Sequence, residues 1–430
     1  MLHVLDLSKT PRWASVLVES DMPDSTAAQA APPTTPSKSS STAGPPARFG
    51  RYLSLDDFEP AARRRLPRMI YGYVSGAVET GAAFANAKAG YADYALVPRT
   101  LVDTSRRRLD CTLFGHTYAA PFGVPPLGGA AMVAYRGDLA LADAAGAMGV
   151  PMILSAASLI PLEEVRRGRP HTWMQTYLAG DSARIDPMID RVAGAGFETL
   201  VVTVDTPVPG NRENNVRNGF STPIRITPRT AIDSALHPSW LLGVIARTFH
   251  RHGPPHFENM DAERGAPMMS RTAMRNLRDR DGFAWTHLES IRRRWPGTLI
   301  VKGLLAAADA RQAREMGCDG IIVSSHGGRQ LDHAVAPIRV LPEIVDAVGN
   351  LPVMIDGGIR RGTDVLKALA LGAKFVFVGR PFLYAACIGG SPAVRHAMQL
   401  LSDEIRRDMA MMGLNRLDEL HPDSVRLHRS

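Results

Sequence analysis

The chain is predicted to be an α/β protein, a (β/α)8 TIM barrel with a long insertion after its fourth strand and a disordered N-terminal tail. Three observations predict this fold. Eight short apolar runs alternate with helix-like segments from residue 121 onward, the pattern of a parallel sheet. Polar and ionisable residues recur where those runs end, which is where barrel active sites sit. No Gly-x-Gly-x-x-Gly follows the first run, which argues against an open dinucleotide-binding sheet.

Residues 1–48 are rich in Ala, Pro, Ser and Thr, as in Ala31-Pro32-Pro33-Thr34-Thr35-Pro36-Ser37. Such a stretch buries too little apolar surface to offset its conformational entropy, and a disordered tail is expected. Asp6, Glu19, Asp21 and Asp24 disfavour an organelle transit peptide. Residues 49–430 are expected to form one barrel domain. Its strands are predicted at 121–126, 150–156, 172–177, 200–205, 299–303, 320–324, 353–356 and 375–379. Its helices are predicted at 137–149, 162–167, 182–194, 286–295, 306–317, 339–348 and 363–371.

One connection is far longer than a βα link requires, and 213–284 is read as an insertion. Within it the apolar, aromatic segment His237-Pro238-Ser239-Trp240-Leu241-Leu242-Gly243-Val244-Ile245-Ala246-Arg247 is followed by Arg251, Arg264, Arg271, Arg275, Arg278 and Arg280. Two readings fit: a lid packed against the barrel, or a surface lying on an anionic membrane.

The 430 residues carry a net charge of +8. That charge suits nucleic acid, an acidic membrane surface or an anionic substrate. No zinc-finger spacing, homeodomain-like pattern or aromatic RNA-binding motif accompanies the basic residues, so nucleic acid is the weakest of the three. Cys111, Cys318 and Cys387 match no metal spacing and are expected to be structural. No apolar run approaches the ~18 residues a spanning helix needs. A cytoplasmic location is expected, with peripheral contact at the inner face of the membrane as the second reading.

The sixth run ends in Ser324-Ser325-His326-Gly327-Gly328-Arg329-Gln330-Leu331-Asp332. A histidine three residues from an arginine, with two glycines between, offers a proton acceptor beside an anion clamp. The third run ends in Gln175-Thr176-Tyr177, the fourth in Thr203-Val204-Asp205 and the fifth in Lys302-Gly303. Any one of these could be an ordinary rim residue; four converging on one mouth suggest a site. The seventh ends in Asp356-Gly357-Gly358-Ile359-Arg360-Arg361-Gly362-Thr363-Asp364 and the eighth in Gly379-Arg380. Glycine-rich loops after strands seven and eight form the usual barrel phosphate site, to which Arg360 or Arg380 can add charge. A phosphate-bearing cofactor is expected.

These residues resemble the FMN-dependent L-2-hydroxy acid oxidases and dehydrogenases, among them glycolate oxidase, bacterial L-lactate dehydrogenase and mandelate dehydrogenase. The resemblance runs from about Leu55 to about Asp418 and rests on Tyr71-Gly72-Tyr73-Val74-Ser75-Gly76, Thr203-Val204-Asp205-Thr206-Pro207, the nonapeptide and the two phosphate loops. It implies FMN, a homotetramer, and oxidation of an L-2-hydroxy acid to the 2-oxo acid. His326 would remove a substrate proton, and Asp205 would pair with the imidazolium and raise its basicity. Arg329 and Arg212 would grip the carboxylate, with Tyr73 and Tyr177 as hydroxyl partners. Lys302 would sit by the flavin ring. Ser155, Gln175, Thr203 and Ser324 would hydrogen-bond the ring, as would the backbone of Pro126-Leu127-Gly128. Asp356, Gly357, Gly358, Arg360, Gly379 and Arg380 would hold the rest of the cofactor. No metal is expected.

The chain departs from the family pattern in several places. Ser325 stands where asparagine is usual, and Val78-Glu79-Thr80 replaces a commoner acidic pair. Gly128 and Ala157 stand where soluble oxidases carry larger residues. With the insertion, these last two favour a dehydrogenase that passes electrons to a quinone over an oxygen-using oxidase. A flavin-binding protein without turnover, or a basic binding protein, are the non-enzymatic alternatives.

Overall fold

In the computed structural model, residues 47–270 and 280–428 are described. Eight parallel strands form the barrel: β1 Phe122–Gly123, β2 Met152–Ser155, β3 Thr172–Thr176, β4 Thr199–Thr203, β5 Thr298–Leu304, β6 Gly320–Val323, β7 Val353–Asp356 and β8 Phe375–Phe377. Each pairs with its sequence neighbour, and β8 returns to β1. The ring closes through a parallel bridge between Val124 and Met152, with the Ile153 N–H donating to the Val124 carbonyl at 2.9 Å. All residues of β2, β3, β4, β6, β7 and β8 are buried, as expected of strands covered on both faces.

The strands alternate their side chains between two cores. Ile153, Trp173, Val201, Ile300, Ile322, Met354, Phe375 and Phe377 point inward and fill the barrel. Leu113 and Tyr118 join them from an antiparallel hairpin, Cys111–Leu113 with His116–Tyr118. Phe114 of its turn lies against Gly320 at the start of β6, so the hairpin plugs the end opposite the polar strand termini. Leu154, Met174, Leu200, Val301, Ile321 and Ile355 point outward into the larger core beneath the helices.

All seven predicted helices are present, each within two residues of its predicted ends: Gly137–Ala147, Leu162–Arg166, Ser182–Gly194, Trp285–Arg294, Ala307–Glu315, Pro337–Val348 and Gly362–Ala370. Several others were not anticipated. Phe58–Arg65, Arg68–Ser75 and Ala82–Ala89 precede the barrel, and a long helical stretch, Arg380–Met412, follows β8. That stretch breaks at Gly389 and Gly390. Its first half packs Phe382 against Phe122 of β1.

One side of the insertion packs against the barrel. Trp240 and Val244 are buried, and the Trp240 indole N–H donates to the Met132 carbonyl at 2.8 Å. Asn259 accepts from the Leu162 N–H and donates to the Ile160 carbonyl, pinning the insertion to the loop after β2. Its other side carries exposed Ile232, Leu236, Leu242 and Phe249. No helix of the described residues is long and apolar enough to cross a membrane. Of the arginines noted in the insertion, Arg271, Arg275 and Arg278 lie outside the described residues, as does the tail before residue 47.

The three cysteines are free, and burial pushes each thiol up to about 12, which makes them unreactive packing groups.

Candidate active site

The polar strand ends meet in one cavity of about 490 Å³ at the C-terminal mouth of the barrel. Tyr73, Pro126, Leu127, Gly128, Tyr177, Arg212, His326, Arg329, Asp356, Gly357, Gly358, Arg360, Gly379 and Arg380 line it. The six other predicted site residues, Ser155, Gln175, Thr203, Asp205, Lys302 and Ser324, belong to the strand ends around it; all are buried except Asp205, which is nearly so.

His326 is the third residue after β6, and its φ of 54° places a non-glycine residue in the left-handed region. Gly327 and Gly328 continue that turn with φ of 65° and 69°. Such a conformation costs about 1–3 kcal/mol and persists only where surroundings enforce it. Here the Ser324 hydroxyl accepts the His326 N–H at 3.0 Å, and Asp205 Oδ1 takes Nδ1 at 2.8 Å. Gly303 makes the second contact feasible: with φ of 107°, it leaves space where a Cβ would lie 2.5 Å from the Asp205 carboxyl carbon.

With Nδ1–H donated to Asp205, Nε2 is left as the acceptor facing the cavity, 3.4 Å from the Tyr177 hydroxyl. Burial lowers the His326 pKa, and although Asp205 raises it, the net direction is down, with Lys302 and Arg212 adding to the decrease. Asp205 does make the histidine more basic, as expected of the pair, but desolvation of the imidazolium is the larger effect and sets the net direction. The result is a neutral imidazole, ready to accept a proton. For Asp205, burial acts upward, yet His326 and Lys302 prevail and hold it ionised below its ordinary value.

Lys302 is buried at the end of β5, where its ammonium donates to Ser324 Oγ at 2.7 Å and pairs with Asp356 at 3.0 Å. Burial opposes its charge, but Asp356 and Asp205 outweigh that and raise its pKa. The sequence had assigned Asp356 only to the cofactor; its carboxylate is also the lysine's counter-ion, and Oδ1 keeps no partner among the described residues.

Arg329 and Arg380 each donate to the carbonyls of Val74 and Gly76, at the end of the helix carrying Tyr73. Arg212 donates to the Arg329 carbonyl and to Gln330. Burial and the neighbouring arginines push Arg329 down to about 9. For Arg380, burial is again the main cause of a fall to about 10, with Arg360 and Arg212 adding to it. A cluster of cations that repel one another in a buried mouth is a site prepared for anions.

The unexplained segment Val78-Glu79-Thr80 proves to be an anchor for the nonapeptide. The Val78 N–H donates to the Gly328 carbonyl, and both the hydroxyl and the N–H of Thr80 donate to Asp332. The Ala83 N–H adds a third bond, and these contacts hold the Asp332 carboxyl well below its ordinary range. Sequence reading missed Phe220, which stacks on Tyr73 at 4.4 Å, and noted Arg280 only among the insertion's arginines, not at the site, where its guanidinium lies 4.5 Å from the Tyr177 ring. Both come from the insertion, where no local pattern marks them.

The residues present fit the flavin mononucleotide expected from the sequence. Thr203 Oγ1 and Asp356 Oδ1 are buried polar atoms at strand ends without partners among the described residues. Beyond β7, Gly357 and Gly358 turn with φ of 99° and 81°, and Arg360 and Arg380 supply positive charge beside them. That donor set suits a polar ring edge at one end and a phosphate at the other.

The FMN-dependent dehydrogenase family model matches residues 62–427 of the chain. The chain is 39% identical to an L-lactate dehydrogenase of Caulobacter sp. (strain K31), over 85% of this chain and 96% of that protein. It is 36% identical to the (S)-mandelate dehydrogenase of Pseudomonas putida, over 86% and 93%. Among solved structures, that of the monotopic membrane protein (S)-mandelate dehydrogenase superposes with a TM-score of 0.81 and 35% identity, covering 87% of this chain and 99% of that one.

Proposed function

Because this chain belongs to the FMN-dependent dehydrogenase family, we propose that it oxidises an L-2-hydroxy acid of the lactate or mandelate kind to the 2-oxo acid in this cavity. One observation carries the reading: a neutral His326 whose Nε2 faces a cavity that Arg212 and Arg329 also line. The oxidation removes two electrons and two hydrogens from the substrate, and bound FMN supplies the two-electron acceptor.

The chain's own groups do the rest. Arg329 and Arg212 exchange their present backbone and amide partners for the substrate carboxylate, and the planar guanidinium fixes its orientation. That presents the C2 end to His326. Nε2 takes a substrate proton, and ionised Asp205 at Nδ1 stabilises the imidazolium that forms. Tyr177 holds the substrate oxygen from the other side of Nε2. Lys302, held charged by Asp356, would supply a fixed positive charge to bound FMN.

The acceptor after FMN is proposed to be a membrane quinone. The exposed apolar side of the insertion, with Arg247 and Arg251 in the same segment, suits peripheral contact with an anionic bilayer. Its test is flotation with vesicles containing anionic lipid. The protein should rise with the vesicles, and Leu242→Glu with Phe249→Glu should keep it at the bottom of the gradient. Wild-type protein that stays at the bottom would remove the membrane reading.

The enzymatic reading has a simple test. Purified protein should be yellow, and anaerobic L-lactate or (S)-mandelate should bleach its absorbance near ~450 nm. Yellow protein that no 2-hydroxy acid bleaches would overturn it.

A further inference from the structure

Arg280 is an arginine that the proton-transfer and carboxylate-binding groups leave unused. It lines the same cavity, and its Nε and Nη2 are buried without a hydrogen-bond partner among the described residues. A buried guanidinium without an acceptor is costly, because its N–H donors have given up water for nothing. Nearby Arg184 cannot help, being a like charge already paired with Asp261 at 2.9 Å.

Its position is built. The segment after it packs backbone to backbone on the loop that follows Tyr177: a Cβ on Gly180 would lie 2.4 Å from the Gly282 carbonyl carbon. The Phe283 N–H donates back to the Arg280 carbonyl at 3.0 Å. This close seating lays the guanidinium over the Tyr177 ring, whose hydroxyl reaches His326. Arg212 and Arg329 meet each other through the Arg329 backbone, but neither shares a hydrogen-bond partner with Arg280. The cavity thus carries two cationic poles, one for a carboxylate and one at Tyr177 that has no acceptor among the described residues.

We propose that Arg280 selects the substituent of the 2-hydroxy acid, favouring a substrate whose side chain ends in a second carboxylate. This deepens the proposed function and rests on it. A short 2-hydroxy diacid would place its first carboxylate on Arg212 and Arg329, its C2 at His326, and its second carboxylate on the Nε and Nη2 donors of Arg280. A guanidinium offers two parallel N–H bonds to such a group, so the match is geometric as well as electrostatic.

The test uses the FMN-loaded enzyme and anaerobic flavin reduction by (S)-2-hydroxybutanedioate, (S)-2-hydroxypentanedioate, L-lactate and (S)-mandelate. At least one diacid is expected to exceed both monoacids in the ratio of reduction rate to apparent Kd. Arg280→Met should lower that diacid-to-monoacid ratio by roughly 10–100-fold, the penalty of leaving a buried polar group unpaired. Arg280→Lys should restore part of it. Diacids no better than monoacids, or an Arg280→Met variant that slows all four acids equally, would overturn the assignment and leave Arg280 a positioning residue for Tyr177. Failure of all four acids to reduce the wild-type flavin would instead strike the proposed function itself.

Discussion

His326→Gln retains FMN but loses substrate-dependent flavin reduction by more than the ~10²–10⁴-fold typical of a general base. Glutamine is close to histidine in size, so the phosphate loops and the strand-end hydrogen bonds stay as they are. Its amide cannot take up a proton at neutral pH, and it offers Asp205 no cation to stabilise. The loss should appear in the limiting reduction rate measured by anaerobic stopped flow, with substrate affinity changed far less, since Arg212 and Arg329 remain. A variant that reduces its flavin within tenfold of wild type would remove His326 from proton transfer.

Lys302→Met is expected to have the largest effect on stability. The substitution leaves Asp356 and Asp205 buried without their shared cation. Breaking a buried pair from one side costs about 3–5 kcal/mol, mostly as the penalty of the charge left behind. Urea unfolding of wild type and variant, both saturated with FMN, measures that difference directly. The double variant Lys302→Met with Asp356→Leu should recover part of the loss, because an apolar pair of similar volume removes the stranded charge. A single variant within 1 kcal/mol of wild type would mean that Lys302 is not the charge that balances this cluster.

Much of the fold was legible because its signals are local. The eight apolar runs became the eight strands, since a strand covered on both faces must be apolar throughout. The strand ends were legible for the same reason: a side chain placed just after a buried run is carried to the mouth. Arg380–Met412 was not, because Gly389, Gly390 and Pro392 interrupt the apolar period that marks a helix. The role of Val78-Glu79-Thr80 was also invisible, as its partners Gly328 and Asp332 lie some 250 residues away in sequence.

The site divides along the same line. Residue types and strand positions pointed to His326, Asp205, Lys302 and the arginines, and the cavity with the strand ends around it gathers them. Their pairing was partly hidden. That Lys302 meets Asp356 depends on the stagger between β5 and β7, which no local pattern records. The direction of the His326 shift depends on how deeply the ring is buried, and burial outweighs the carboxylate that sequence reasoning had emphasised. Arg280 stood in the sequence only as one of the insertion's arginines, and its place over Tyr177 needed the fold of the insertion.

In the proposed reaction a buried, neutral His326 takes the substrate proton. The pH dependence of anaerobic flavin reduction at limiting substrate reports the protonation state of the free enzyme. A histidine whose pKa is lowered by folding stays neutral, and active, to lower pH than an exposed one. The reduction rate should therefore fall on the acid side with a midpoint below the ordinary histidine value of 6.5. An acid limb centred above 6.5, or no acid limb attributable to His326, would contradict it.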